Sequence, residues 1–289
     1  MAVLLTLGLN GIVNGSLYFL MAAGLTLIFG LMRVVNFAHG GLYQWGAYSG
    51  TLIFTVTGNF AVSLLGGCLV AALLGVVMER GLIASVYRNE TGQLLVTMGI
   101  MLILTEFIKI PFGPNELSAN TPAGLSNSWL VGHVVIIEYQ VFMIAAGVAV
   151  FLLLQWMLSK TRIGVIIRAG IHNPELAEAC GIPIRRVFTL MFAVGAGLGG
   201  LAGALAGPYF GAVTPDMGFS MQLNAFIIVV IGGMGSLAGS FVGSMVVGIV
   251  TAFVSYYYSS LAVLVDVVVM VIVLLLRPQG LFGKKEALE

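Results

Sequence analysis

Charge is nearly missing from this chain over stretches long enough to carry a helix from one face of a bilayer to the other. Apolar runs of about 20 residues follow one another with short polar breaks, and about 20 such residues span the hydrocarbon core as a helix. Only 8% of the residues are Asp, Glu, Lys or Arg, while 60% are hydrophobic and the mean hydropathy is +1.09. A soluble domain carries roughly 25% charged residues, because its surface must be hydrated. This chain cannot cover such a surface, so lipid is its solvent over most of its area. Backbone amides find no water there, and helices satisfy them internally. The expected fold class is therefore all-α and polytopic, one transmembrane domain over 1–289. The 39 glycines suit membrane helices. A net charge of +1 leaves no basic surface for nucleic acid.

The apolar runs predict spans near 5–31, 38–57, 60–79, 93–112, 137–158, 187–206, 220–234, 240–258 and 261–276. The seventh is short, so 220–258 can also be read as a broken or re-entrant pair; eight to ten crossings fit, and nine is preferred. Met1 to Thr6 lacks the basic segment of a cleavable signal peptide, so the first run is expected to stay as a membrane helix. Lys and Arg gather in cytoplasmic loops. With nine spans and the N-terminus outside, Arg33, Arg80, Arg88, Lys160, Arg162, Arg168, Arg185, Arg186, Arg277, Lys284 and Lys285 all fall in the cytoplasm, as does the C-terminus. Lys109 alone does not. The outer side then holds 111–136 and the short connection after Gly207-Pro208-Tyr209, neither large enough for a catalytic domain.

Small residues four apart mark helix contacts in lipid. Gly195, Gly199, Gly203 and Gly207 form one such stripe; Gly235, Gly239 and Gly243 form another, and Gly46 and Gly50 a third. Charges within spans are costly. Glu106 and Lys109 are spaced to pair on one helix face, whereas Asp266 stands alone. Cys68 and Cys180 lie on no metal-ligand spacing and make no disulfide framework. No metal site or catalytic constellation is expected among three scattered histidines.

Asn36, His39 and Tyr43 recur at i, i+3 and i+7, which places them on one face of a helix beginning near residue 36. Two readings stand. The stripe is a cavity wall on a substrate path, or Asn36 caps the helix while His39 bonds a neighbouring backbone. Gly232-Gly233-Met234-Gly235-Ser236 predicts a helix break, and backbone amides freed at Gly233 and Gly235 are candidates to line the same path, as in transporters with broken helices.

The loop 159–186 contains a delimited short helix. Asn173 suits an N-cap, Pro174 the first helical position and Glu175 the first turn. Gly181 suits a left-handed stop, and Pro183 prevents resumption. Residues 174–180 are therefore expected to form about two turns projecting from the membrane. Leu176, Cys180 and Ala177 would share an apolar side, with Glu175 and Glu178 on a polar rim. So short a helix is unstable alone, so that side invites either a groove on another protein or the chain's own helices.

Glu175-Leu-Ala-Glu-Ala-Cys-Gly181 resembles the cytoplasmic coupling-loop motif of ABC importer permeases. The segment from Gly24 to Tyr48, with Asn36-Phe-Ala-His-Gly-Gly41 at its centre, is similar to the signature of branched-chain amino acid ABC permeases. Ile231-Gly-Gly-Met-Gly-Ser-Leu-Ala-Gly-Ser-Phe-Val-Gly243 resembles that family's second glycine-rich segment, and Arg277-Pro-Gln-Gly-Leu-Phe-Gly283 its usual ending. The likeness runs in order over essentially the whole chain. It implies a permease subunit of an importer in a bacterial inner membrane. Its partners would be a second related permease, two cytoplasmic ATPases that bind ATP-Mg, and a periplasmic solute-binding protein. Glu175, Leu176, Ala177, Glu178, Ala179 and Gly181 would form the ATPase contact. The solute would be a branched-chain amino acid or a similar small polar molecule such as urea, an amide or an organic acid. The chain has no GxxxxGK[ST] segment to cradle phosphate, so it is expected to hold no cofactor and hydrolyse no ATP itself. The alternatives are a secondary transporter using Asp266 or the Glu106–Lys109 pair, and an intramembrane enzyme.

Overall fold

A computed structural model describes residues 2–32, 34–87, 89–132, 134–172 and 174–283. Arg33, Arg88, Asn173, Lys284 and Lys285, to which the sequence assigns roles in orientation and capping, lie outside the described residues. The helices are α1 (Ala2–Met32), α2 (His39–Thr57), α3 (Phe60–Gly81), α4 (Glu90–Phe112), α5 (Glu138–Lys160), α6 (Arg162–His172), α7 (Pro174–Ala179), α8 (Ile184–Phe210), α9 (Met217–Gly232), α10 (Leu237–Tyr257) and α11 (Ala262–Leu276). Four short strands add to the expected helices: β1 (Leu117–Ser118), β2 (Ser128–Val131), β3 (Val134–Ile137) and β4 (Ala212–Val213). β2 and β3 form an antiparallel hairpin, and β1 pairs with β4, tying the two connections assigned to the outer side. Among the described residues, α1, α3, α4, α5, α8 and α10 are long and apolar enough to cross a membrane, while α9 and α11 are apolar but short.

Local chemistry sets the ends of these elements. Asn59 starts α3 by accepting from the Val62 amide (3.2 Å), Asn89 starts α4 by accepting from Gly92 (2.9 Å), and Ser236 starts α10 by accepting from Gly239 (3.1 Å). Gly58 ends α2 at φ +65°.

The core is built around α1, which packs against α5, α6, α8, α9 and α10 and is the most enclosed of the long helices. The glycine stripe of α8 is intramolecular. A methyl on Gly195 would lie 2.7 Å from the Gly24 carbonyl oxygen of α1, and one on Gly203 would overlap the Tyr43 carbonyl of α2. Gly46 and Gly50 of α2 meet Gly200 and Ala204 of α8, and Gly67 of α3 closes on the same seam. The backbones of α2, α3 and α8 thus touch, which is how helices gain dispersion energy in lipid.

The expected helix break falls between α9 and α10. Gly233 (φ +94°) and Gly235 (φ +85°) take left-handed conformations that only glycine adopts without strain. The C-terminal segment docks on this turn. The Leu281 amide donates to the Ile231 carbonyl (2.8 Å) and the Phe282 amide to the Gly232 carbonyl (3.0 Å). The second glycine-rich segment and the ending therefore form one backbone-paired unit.

Candidate functional site

The connection from α1 to α2 turns back into the bundle. The His39 ring packs against Gly24 of α1 and Gly199 of α8, and its Nε2 is 3.2 Å from the Met21 carbonyl. Gly24 lies eight residues before the end of α1, about 12 Å of helix at 1.5 Å per residue. Residues 34–38 thus run inward as non-helical, largely buried backbone. Such backbone is tolerated at membrane depth only when protein or a cavity surrounds it. Here Asn36 Oδ1 accepts from the Ala38 amide (3.1 Å), Gln222 Nε2 of α9 donates to the Asn36 carbonyl (3.2 Å), and the Thr97 hydroxyl, bonded to the Gln93 carbonyl (2.7 Å), lies 3.4 Å from the Val35 carbonyl.

Asn36, His39 and Tyr43 are all fully buried, and a buried Gln222 joins them from α9. Asn36 organises the start of α2, and His39 contacts neighbouring backbone. Within this cluster four side-chain atoms have no hydrogen-bond partner among the described residues: Asn36 Nδ2, His39 Nδ1, the Tyr43 hydroxyl and Gln222 Oε1; Thr51 Oγ1, two turns further along α2, is a fifth. Leaving a buried polar atom unmade costs about 1–3 kcal/mol, so four in one region call for a role beyond packing. Gln44, one residue along α2, donates to the Pro215 carbonyl and accepts from Thr105 (3.3 Å). Gln222 and Gln44 were missed in the sequence; two glutamines inside apolar helices are the signal that could have found them.

Gly233 and Gly235 are not brought to this cluster. Gly233 lies eleven residues beyond Gln222 along α9, about 16 Å. It packs on Gly280 and Gly283, while Gly235 faces Gly30 near the end of α1. Glu106 and Lys109 pair at 2.6 Å on the exposed side of α4, and Asp266 accepts from Thr251 of α10 at 2.7 Å.

The loop 159–186 holds two helices rather than one. α6 was not foreseen; it buries Gly164, Ile167 and Gly170 at spacings of three and packs on α5, α1 and α7. α7 ends as expected, through a Schellman closure. The Ile182 amide donates to the Ala177 carbonyl (3.1 Å), the Gly181 amide to Glu178 (2.9 Å), and Gly181 has φ +83°. Ala177 is 5% exposed and turns inward, whereas Leu176 is 62% exposed, with Glu175, Glu178, Ala179 and Cys180 also outward. The outward apolar side is thus narrower than expected, because Ala177 is spent on packing.

A buried clamp ties this region to α3. Glu79 accepts from the Thr189 hydroxyl of α8 (2.8 Å) and from the Tyr87 hydroxyl. Gln93 of α4 donates to the Tyr87 carbonyl (2.9 Å). Burial, and then the hydrogen bond to Glu79, raise the Tyr87 phenol well above its ordinary pKa, so it remains a donor. Glu79 was unremarkable in the sequence, where it stands beside Arg80 at a span end.

Residues 7–276 match the family described as branched-chain amino acid transport system / permease component. The chain is 29% identical to the high-affinity branched-chain amino acid transport system permease protein LivH of Escherichia coli, over 96% of this chain and 94% of that one. It is 27% identical to BraD, the corresponding permease protein of Pseudomonas aeruginosa, over 96% and 95%. More distantly, it is 28% identical to the galactose/methyl galactoside import permease protein MglC of Haemophilus influenzae, over 68% of this chain and 56% of that one. Among solved structures, PsaBC from Streptococcus pneumoniae in complex with Fab shares the fold at a TM-score of 0.51 and 15% identity, over 94% of this chain and 92% of that chain. The family match runs from within α1 to the end of α11, and the chain belongs to the branched-chain amino acid permease family, as an inner-membrane permease subunit of an ABC importer.

Proposed function

We propose that this chain forms half of a translocation path for branched-chain amino acids. A second related permease would supply the other half. Two cytoplasmic ATPases carrying ATP-Mg would dock on α7, and a periplasmic solute-binding protein would deliver the solute. α1–α5 and α8–α11 would make nine crossings, N-terminus outside and C-terminus cytoplasmic. The observation that carries the reading is α7: a helix of six residues, closed at its C-terminal end by Gly181, with Leu176 62% exposed. Movement there would pass through Glu79 and Thr189 into α3 and α8, which flank α2 and its polar cluster. Uptake of a branched-chain amino acid by the reconstituted complex, dependent on ATP and on the binding protein, tests the whole; gradient-driven uptake by this chain alone would refute it.

Orientation is tested separately. With Cys68 and Cys180 replaced by alanine, Asn120→Cys and Ser126→Cys should react with an impermeant reagent outside intact cells. Glu90→Cys should react only after permeabilisation. Labelling of position 90 from outside would overturn the nine-span arrangement.

The path assignment rests on the four unmatched polar atoms. In alternating access they would meet water or solute in another state of the transporter. Tyr43→Phe removes only a hydroxyl that has no partner, so the resting fold should keep or slightly raise its melting temperature. Uptake per assembled complex should fall several-fold. Unchanged uptake with unchanged stability would place Tyr43 in packing alone.

A further inference from the structure

A groove with a volume of about 640 Å³ runs along the outside of the bundle between α3 and α8. Its body is apolar and shallow-walled: Ala72 and Val76 line it from α3, and Leu190 and Ala193 from α8. The two helices run in opposite directions, so the last turn of α3 and the first turn of α8 meet at one end. That end carries Arg80 and Arg186, both exposed and both lining the groove. Among the described residues the ion pair is Lys109–Glu106, and the nearby Glu79 is already occupied by Thr189 and Tyr87. Neither guanidinium at the mouth of this apolar channel makes an ion pair with a carboxylate among the described residues.

We infer that this groove holds one anionic phospholipid, one of its two acyl chains between α3 and α8 and its phosphate between Arg80 and Arg186. The charge decides the occupant. A helix of another subunit would fill the apolar body but would leave two guanidiniums unneutralised unless it brought acids to the same end. A phospholipid supplies both parts in one molecule, and guanidinium matches phosphate with paired N–H donors. Basic pockets between membrane helices on the cytoplasmic side bind such headgroups. The site rests on the orientation proposed above, which puts Arg80 and Arg186 on the cytoplasmic side. It does not depend on which solute is carried. Arg186 follows Gly181 by five residues, so a bound headgroup would pin the exit of α7 to the membrane surface.

The test uses the full chain, purified in mild detergent, exchanged with phosphatidylglycerol and phosphatidylcholine, and weighed intact by native mass spectrometry. Each guanidinium near an anionic headgroup contributes on the order of fivefold, so the wild type should retain phosphatidylglycerol about thirtyfold over phosphatidylcholine. Arg80→Gln with Arg186→Gln should bring that ratio near one while some binding of both lipids remains. Ala193→Phe should reduce both lipids together by filling the channel. Melting temperatures near wild type would show that each variant is folded; if the double glutamine variant fails this, the single variants Arg80→Gln and Arg186→Gln replace it, and each should lower the ratio about fivefold. Equal retention of both lipids by the wild type, or an unchanged ratio in the double glutamine variant, would overturn the site. So would crosslinking from position 193 to a second permease rather than to lipid.

Discussion

Gly203→Ala should leave almost no folded protein. Its new methyl would overlap the carbonyl oxygen of Tyr43, and backbone atoms cannot rotate aside as a side chain would. Overpacking in a well-filled core costs about 1–3 kcal/mol, occasionally more, and here α2 and α8 must separate along a seam that also holds Gly46, Gly50, Gly67 and Gly200. Separation forfeits contacts at each of those crossings. The matched control is Gly99→Ala on α4, where a methyl would meet nothing within 4 Å. That change should be neutral or should stabilise by about 0.5–1 kcal/mol, since alanine favours the helix. Thermal melting in detergent, with size-exclusion yield, reads both. A well-folded Gly203→Ala protein would mean that the α2–α8 contact is looser than described.

Leu176→Asp is expected to have the largest effect on function while leaving insertion untouched. Burying a leucine-sized contact of about 50 Å² at ~25 cal/mol/Å² contributes on the order of 1 kcal/mol. An unpaired carboxylate in its place adds a few kcal/mol of cost. Since 1.4 kcal/mol is tenfold in affinity, the ATPases should fall away on purification by a hundredfold or more in affinity. Solute-stimulated ATP hydrolysis should be lost with them. Ala177→Asp should differ: Ala177 is buried within the chain, so that variant should damage the loop fold itself. Retention of both ATPases by Leu176→Asp would remove α7 as the docking element.

Much of the architecture could be read from residues alone because lipid imposes one rule on every backbone amide. The apolar runs correspond to helices, the break at Gly233 and Gly235 is where glycine demanded it, and Gly181 ends α7 as its spacing predicts. The inward start of α2 was hidden, because nothing in Val34-Val35-Asn36 says that chain direction reverses into the bundle; contacts from Gln222 and Thr97, far away in sequence, settle it. α6 was hidden by its short length and mixed polarity. The Glu79–Tyr87–Thr189 clamp was hidden because each residue is ordinary alone. The Asn36, His39 and Tyr43 stripe was visible as a pattern, but its unmatched atoms emerge only when every neighbour is placed.

The enclosure of α1 sets an order of events during biosynthesis. α1 leaves the ribosome before the helices that surround it; Thr6 and Ser16 bond carbonyls of α1 itself, but three other polar side chains find partners only much later. Asn10 is bonded by Gln140 at 3.0 Å, 130 residues on; Asn14 by Tyr209 at 2.9 Å, 195 residues on; Thr26 meets Ser240 at 2.7 Å, 214 residues on. Until then α1 stands in lipid, and a helix without a continuous polar face suits both that stage and its later burial. Assembly in membranes proceeds from inserted helices to packed ones. Gln140 lies in α5, Tyr209 in α8 and Ser240 in α10, so these bonds can close only in that order as the helices emerge, and α1 is fully bonded only once α10 is in place.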